Sequence, residues 1–282
     1  MRLYTIKTAD GTFPAVQGTN NTLHKLPFAD MNEVIASGKV HEFDELTATD
    51  GAYSIDTVAI LAPIPNPLQD ILCLGINYAA HAEESARFKK EVFEKDRKYS
   101  VYFSKRVNEA VADGGCIPYP TLDDQIDYEA ELAFILAKDA KNVKKEDAKA
   151  YVFGYTIIND VSARGLQQRH KQFYFAKSLD GFTPMGPCIV TADEFDFEPA
   201  LNIRSYVNGE LRQDSNTSLL LAGIGQILED LTDGMTLKTC SIVSTGTPSG
   251  VGMGFVPPKF LKPGDEVRCE IEGIGSITNK FV

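Results

Sequence analysis

Short runs rich in β-branched and aromatic residues recur along this chain, and helix-length amphipathic segments do not separate them at regular intervals. ILCLG (71–75), VYFSK (101–105), the stretch 127–136, YTIIND (155–160), CIVTA (188–192), SIVST (241–245) and VRCEIEG (267–273) all read as strands. LNIRSYVNGELRQ (201–213) sets Asn208-Gly209 between two alternating runs, a strong hairpin signal. The helical candidates are fewer: NYAAHAEESARF (77–88), 144–152, 162–170 and 218–231. A doubly wound fold needs strand and helix to alternate. This pattern instead predicts an α+β chain with a mixed, largely antiparallel sheet system.

The N-terminal stretch reads as a small α/β appendage. RLYTIKTADGTFPAVQ (2–17) turns at Asp10-Gly11, and Asp30 with Glu33 offers a capping-box start to a short helix that Gly38 stops. LAPIPNPLQD (61–70) carries Pro63, Pro65 and Pro67, which interrupt either periodicity. The expected division is therefore a small domain over 1–67 and the main domain over 68–282. With 282 residues and 43% hydrophobic content, a sizeable core needs no staples. Five scattered cysteines without a C-x-x-C read as reduced thiols, and no apolar run approaches the ~20 residues of a membrane span. A cytoplasmic protein is the expectation. The net charge of −11 disfavours nucleic acid and anionic membranes as partners. The charge run KKEVFEKDRK (89–98) mixes its signs and reads as a solvated face.

Within 127–136, Asp127, Glu129 and Glu131 fall at every second position of IDYEAELAF. On a strand they share one face. Either that face is wet and each acid is solvated, or two carboxylates spaced i, i+2 hold a divalent cation. Asp160 ends another strand run about thirty residues on and supplies a third carboxylate. Three oxygen donors without imidazole or thiolate suit Mg²⁺ or Mn²⁺. Asp160 could instead cap the helix that follows, a role Ser162 could also fill. GTPSGVGMG (246–254) lacks both the P-loop ending and the dinucleotide spacing, and reads as a loop whose glycines allow close backbone approach. Of the four histidines, His24, His41 and His170 carry no special context. His81 opens a helix after a strand with Glu84 one turn on, an arrangement that can orient an imidazole as a general base.

GINYAAHAEE, DYEAEL, VFGYTIINDVSAR, AKSLDGFTPMGP, VNGELRQDSNTS, STGTPSGVG and FLKPGDEVRCEIEGIGSITN follow one another in order over residues 70–282. In this the chain resembles the fumarylacetoacetate hydrolase family. The resemblance implies a mixed β-roll assembled as a homodimer. It also implies metal ligands at Glu129, Glu131 and Asp160, a dyad at His81 and Glu84, and a pocket lysine at Lys177. Arg164, Gln167 and Thr247 match the family's substrate-contacting positions.

The implied activity is metal-dependent C–C bond hydrolysis of a small anionic diketo acid, with water activated by His81 and Glu84. The same enolate chemistry without water attack gives decarboxylation or isomerisation of related 2-oxo acids, the alternative reading, and a non-catalytic keto-acid binder is a third. Arg106, in a run that leaves the family pattern, is expected to border the pocket and bear on substrate choice.

Overall fold

The computed structural model describes residues 1–39, 42, 52–90 and 99–282; His41 and most of the 89–98 charge run lie outside them. Strand Ala130–Leu136 lies at the centre because both its faces are apolar. Leu132 and Phe134 enter one core with Ile203, Val267, Cys269 and Ile271, whereas Ala133 and Ile135 enter another with Ile158, Ile189, Met31, Val34 and Ile35. A strand covered on both faces reads as a continuous apolar run, and AELAFIL departs from this at Glu131 alone.

Around this strand runs a sheet of eleven strands among the described residues. Val152–Asn159 and Ile242–Ser244 flank it antiparallel, Ile71–Leu74 joins Ile242–Ser244 in parallel, and Tyr102–Lys105 closes that edge. On the other side Met185–Thr191 pairs with Arg2–Thr8, so the N-terminal hairpin extends the same sheet. A second sheet orders Glu210–Asn216, Asn202–Val207, Glu266–Ile271, Gly275–Phe281 and Cys116–Ile117, and packs on the central strands. The architecture is α+β with mostly antiparallel pairing.

Local signals account for most elements. The Asp30 carboxylate accepts from the Glu33 amide at 2.9 Å, the Glu33 carboxylate accepts from the Ala29 amide, and Gly38 at φ 66° ends helix Met31–Ser37. Both expected hairpins form, the first turning at Ala9-Asp10, one residue earlier than expected, and the second at Asn208-Gly209. The proline-rich stretch 61–70 is packed: Ala62 and Ile64 are buried, and Thr5 donates to the Pro63 carbonyl. Two expected helices come out differently. Residues 145–151 wind as a tighter 3₁₀ helix in which only Ala148 is buried. The 218–231 segment keeps an α-helix only over Ile224–Thr232, after a 3₁₀ turn at Thr217–Leu219, because the Leu221 and Ala222 amides bond to Asn77 instead of continuing a helical ladder.

Candidate active site

The stretch IDYEAELAF does not run as one strand. Its ladder with Val152–Asn159 ends at Ala130 opposite Asn159, and Asp127 pairs with Ser162 in a separate short ladder. At the break, the Glu129 amide donates to the Asn159 side chain at 3.0 Å and the Asp160 amide to the Glu129 carbonyl at 2.8 Å. Two strand ends are thereby clamped side by side. Glu129, Glu131 and Asp160 each bring a carboxylate oxygen within 4.8 Å of the others. All three are buried, which corrects the expectation of a wet face. Asp127 turns elsewhere, accepting from the Gly252 and Met253 amides at 2.6 and 3.0 Å and from Arg164 Nε at 3.0 Å. Neither Asp160 nor Ser162 caps helix Arg164–His170: Asp160 stays in the cluster, and Ser162 donates to the Asp160 carbonyl.

Each pair of charged carboxylates at such a separation costs about 3–4 kcal/mol at an effective dielectric of about 20, so bare ionised acids would not stay together. Buried cations offset the repulsion. Lys177 Nζ sits 2.6 Å from Glu129 and 2.5 Å from Asp160, Arg164 reaches Glu129 at 2.5 Å, and Lys105 Nζ reaches Asp160 at 2.6 Å. The effect on Glu129 and Glu131 is opposite. Burial alone would raise Glu129, but Lys177 and Arg164 outweigh it and hold that carboxyl well below its usual range. Burial, with Asp160 and Glu129 beside it, pushes the Glu131 carboxyl up to about 8. Burial favours a neutral Lys177, yet Asp160 and Glu129 prevail and keep it firmly protonated. The donor set is oxygen only and buried, and its three carboxylates are matched by the three cations Lys105, Arg164 and Lys177. It could hold a hard divalent cation.

This cluster meets a cavity of about 650 Å³ at Glu129. Arg164, Gln167 and Lys177 line it, with His81, Ser85, Phe88 and Phe173. Arg164 also donates to Gln167 at 3.2 Å, which fixes the amide at the wall. Helix Ala79–Lys89, which begins just after strand Ile71–Leu74, carries His81 to the cavity, with Nδ1 3.5 Å from Glu84. That separation orients the ring without a good hydrogen bond, and Nδ1 has no hydrogen-bond partner among the described residues. Both Glu84 oxygens accept from the Gly250 amide, at 2.9 and 3.1 Å. The glycine-rich loop thus approaches two carboxylates, Glu84 and Asp127. A Cβ at Gly250, where φ is +103°, would meet the Arg212 carbonyl, and one at Gly252 would meet the Lys259 carbonyl and Asp127.

Two expected pocket residues stand elsewhere. Arg106 is 60% exposed, pairs with Asp70 at 3.3 Å and does not line the cavity, which corrects its expected position. Thr247 is buried and spent internally, donating to the Ala130 carbonyl and accepting from Gln213, so its hydroxyl holds the strand break and not the cavity wall. Lys105 escaped the sequence reading. A lysine closing an apolar run reads as an exposed strand end, and nothing nearby announces Asp160, 55 residues away.

The family model described as fumarylacetoacetate (FAA) hydrolase C-terminal matches residues 70–282. Oxaloacetate tautomerase YisK of Bacillus subtilis is 42% identical over 230 residues, which cover 81% of this chain and 75% of the relative. Fumarylacetoacetate hydrolase from Exiguobacterium antarcticum superposes with a TM-score of 0.85 at 36% identity over 100% of this chain and 99% of the other. A 2-hydroxyhepta-2,4-diene-1,7-dioate isomerase from Mycobacterium marinum gives 0.78 at 30% identity over 100% and 98%.

Proposed function

Since the chain belongs to the fumarylacetoacetate hydrolase family, we propose that it is an isomerase of small 2-oxo dicarboxylates, interconverting keto and enol forms of an oxaloacetate-type substrate with Mg²⁺ or Mn²⁺ as cofactor. One observation carries the reading: the buried carboxylate cluster and protonated Lys177 adjoin a cavity whose other charges are almost all positive. Among the described residues, Lys89, Lys90, Arg164, Lys171 and Lys177 line it against the single acid Glu129, in a chain with 39 acidic and 28 basic residues. Such a surface favours a substrate with more than one carboxylate. The relative named a tautomerase and the structural neighbour named a dioate isomerase support this reaction over hydrolysis, the activity expected from the sequence.

The cation, when bound to Glu129, Glu131 and Asp160, supplies Lewis-acid polarisation of the 2-oxo group. The protein's own groups move the proton. Lys177, held protonated in a buried site, donates a hydrogen bond where negative charge develops on the 2-oxo oxygen. His81 takes the proton from the adjacent carbon and passes it to the 2-oxo oxygen, which completes the enol with no net proton lost, and the reverse transfer restores the keto form; with Nδ1 facing Glu84, Nε2 is left for the substrate. Gln167, fixed by Arg164, orients the near carboxylate. None of this requires an activated water, which hydrolysis does.

The test is a pair of assays on one Mg²⁺-loaded preparation: keto–enol interconversion of oxaloacetate followed by ultraviolet absorbance, and cleavage of acetylpyruvate. The reading expects rapid interconversion and slow or no cleavage. Efficient cleavage without accelerated interconversion would return the protein to the hydrolases.

A further inference from the structure

Asp160 has two carboxylate oxygens, and different lysines hold them. Oδ2 meets Lys177, which lines the cavity; Oδ1 meets Lys105 Nζ at 2.6 Å. Lys105 is fully buried and does not line the cavity. Its ammonium also donates to the Phe182 carbonyl at 2.8 Å, so backbone as well as carboxylate holds it in place. A fully buried lysine is uncommon, and one sealed from the cavity cannot touch substrate. What it can do is fix which face of Asp160 the metal centre receives.

We propose that Lys105 is a positioning residue that makes Asp160 a one-oxygen ligand and thereby biases the centre toward Mg²⁺ over Ca²⁺; this rests on the metal reading above. Because Lys105 holds Oδ1 from the side sealed off the cavity, Oδ2 is the oxygen turned toward Glu129, where a bound cation would take the place that Lys177 Nζ occupies. Glu131 is constrained alike, because its Oε2 accepts from the Ser244 hydroxyl at 2.5 Å and the Gly246 amide at 3.0 Å. Ca²⁺ takes six to eight oxygens and profits from two-oxygen carboxylates, whereas Mg²⁺ wants a smaller octahedral set and keeps waters. A hydrogen-bonded partner behind a ligand is worth about 10–100-fold in metal affinity. Freeing Oδ1 should therefore weaken Mg²⁺ while sparing Ca²⁺.

The experiment is calorimetric titration of chelator-stripped protein with MgCl₂ and with CaCl₂, for wild type, Lys105→Met and Lys105→Gln, with thermal melts alongside. Wild type is expected to prefer Mg²⁺. Lys105→Met should weaken Mg²⁺ by about 10-fold or more and Ca²⁺ less, narrowing the preference, and Lys105→Gln, which still donates a hydrogen bond, should fall between. An unchanged Mg²⁺ affinity in Lys105→Met, or equal losses for both ions as a purely structural role would give, overturns the inference. So does a wild type that binds Ca²⁺ as tightly as Mg²⁺, a result that stands even where the variants do not fold. A wild type that takes up neither ion removes the metal reading itself, and a wild type that binds Mg²⁺ while Lys105→Met changes nothing removes only the role given to Lys105.

Discussion

The two sides of the cavity differ in how firmly the protein holds its reactive groups. On the carboxylate side every member is tied by at least two short contacts: Glu129 to Lys177 and Arg164, Glu131 to Ser244 and Gly246, Asp160 to both lysines. On the imidazole side His81 leans on Glu84 at 3.5 Å, Nδ1 has no hydrogen-bond partner among the described residues, and the Glu84 carboxylate is anchored to the Gly250 amide. The helix carrying His81 ends on Lys90 in the left-handed conformation at φ 58°. A preorganised floor stabilises charge at no reorganisation cost during reaction, whereas a loosely tethered base can follow a proton. The division assigns cofactor and charge to the floor and proton transfer to the helix.

The largest expected effect breaks the floor. Glu131→Gln or Asp160→Asn should weaken Mg²⁺ binding by about 100-fold, the upper end of what even a hydrogen-bonded partner behind a ligand contributes, with far-UV dichroism unchanged. Undiminished affinity in either variant would dissolve the distinction between the two sides.

Next comes the helix. His81→Ala should lower oxaloacetate interconversion by about 10²-fold or more while leaving the Mg²⁺ dissociation constant within about 2-fold, since a positioned base is worth about 10²–10⁴. Glu84→Gln should cost less, because Glu84 acts only through the ring. A metal-binding loss in His81→Ala would show the two sides to be one unit.

The floor also predicts how the metal-free protein responds to pH. Glu131 is raised in the fold, so between its ordinary value near 4.5 and about 8 the native state keeps a proton that the unfolded chain has released. That contribution is present below 4.5 and lost as pH rises through 8. Glu129 is lowered, so its contribution is present above 4.5 and lost on acidification. Melting temperature measured without metal should fall from pH 6 to 8.5, saturating Mg²⁺ should remove the fall, and Glu131→Gln should flatten it. A metal-free curve insensitive to pH in this window would contradict the placement of Glu131.

The smallest effects lie at the cavity mouth. Lys171→Ala should raise KM for oxaloacetate by about 3- to 10-fold, as expected for one charge-assisted contact, and spare monocarboxylates, whereas Arg106→Ala, outside the cavity, should leave KM unchanged. Equal effects at both positions would remove the distinction between them.

Much of this was legible in the sequence. The hairpin at Asn208-Gly209, the capped helix after Asp30 and the i, i+2 pair Glu129 and Glu131 follow from local chemistry and spacing, because turn, cap and strand period are properties of neighbouring residues, whereas joining the distant Asp160 to that pair rests on the family resemblance. What escaped depends on distant partners. The sequence could not reveal that Asp127 would leave its neighbours for the Gly252 and Met253 amides, or that Thr247 would be consumed by Ala130 and Gln213. Lys105 and Asp160 meet only because Tyr102–Lys105 lies at the sheet edge beyond Ile71–Leu74. Arg106, next in sequence and just past the end of the strand, points to solvent instead.

The most direct test follows deuterium entering C3 of oxaloacetate in D₂O by NMR, with total oxaloacetate monitored in the same spectra. The account predicts that the Mg²⁺-loaded protein accelerates exchange while oxaloacetate persists, and that both Asp160→Asn and Lys177→Met lose the acceleration. Exchange no faster than in buffer, or exchange undiminished in both variants, would contradict it.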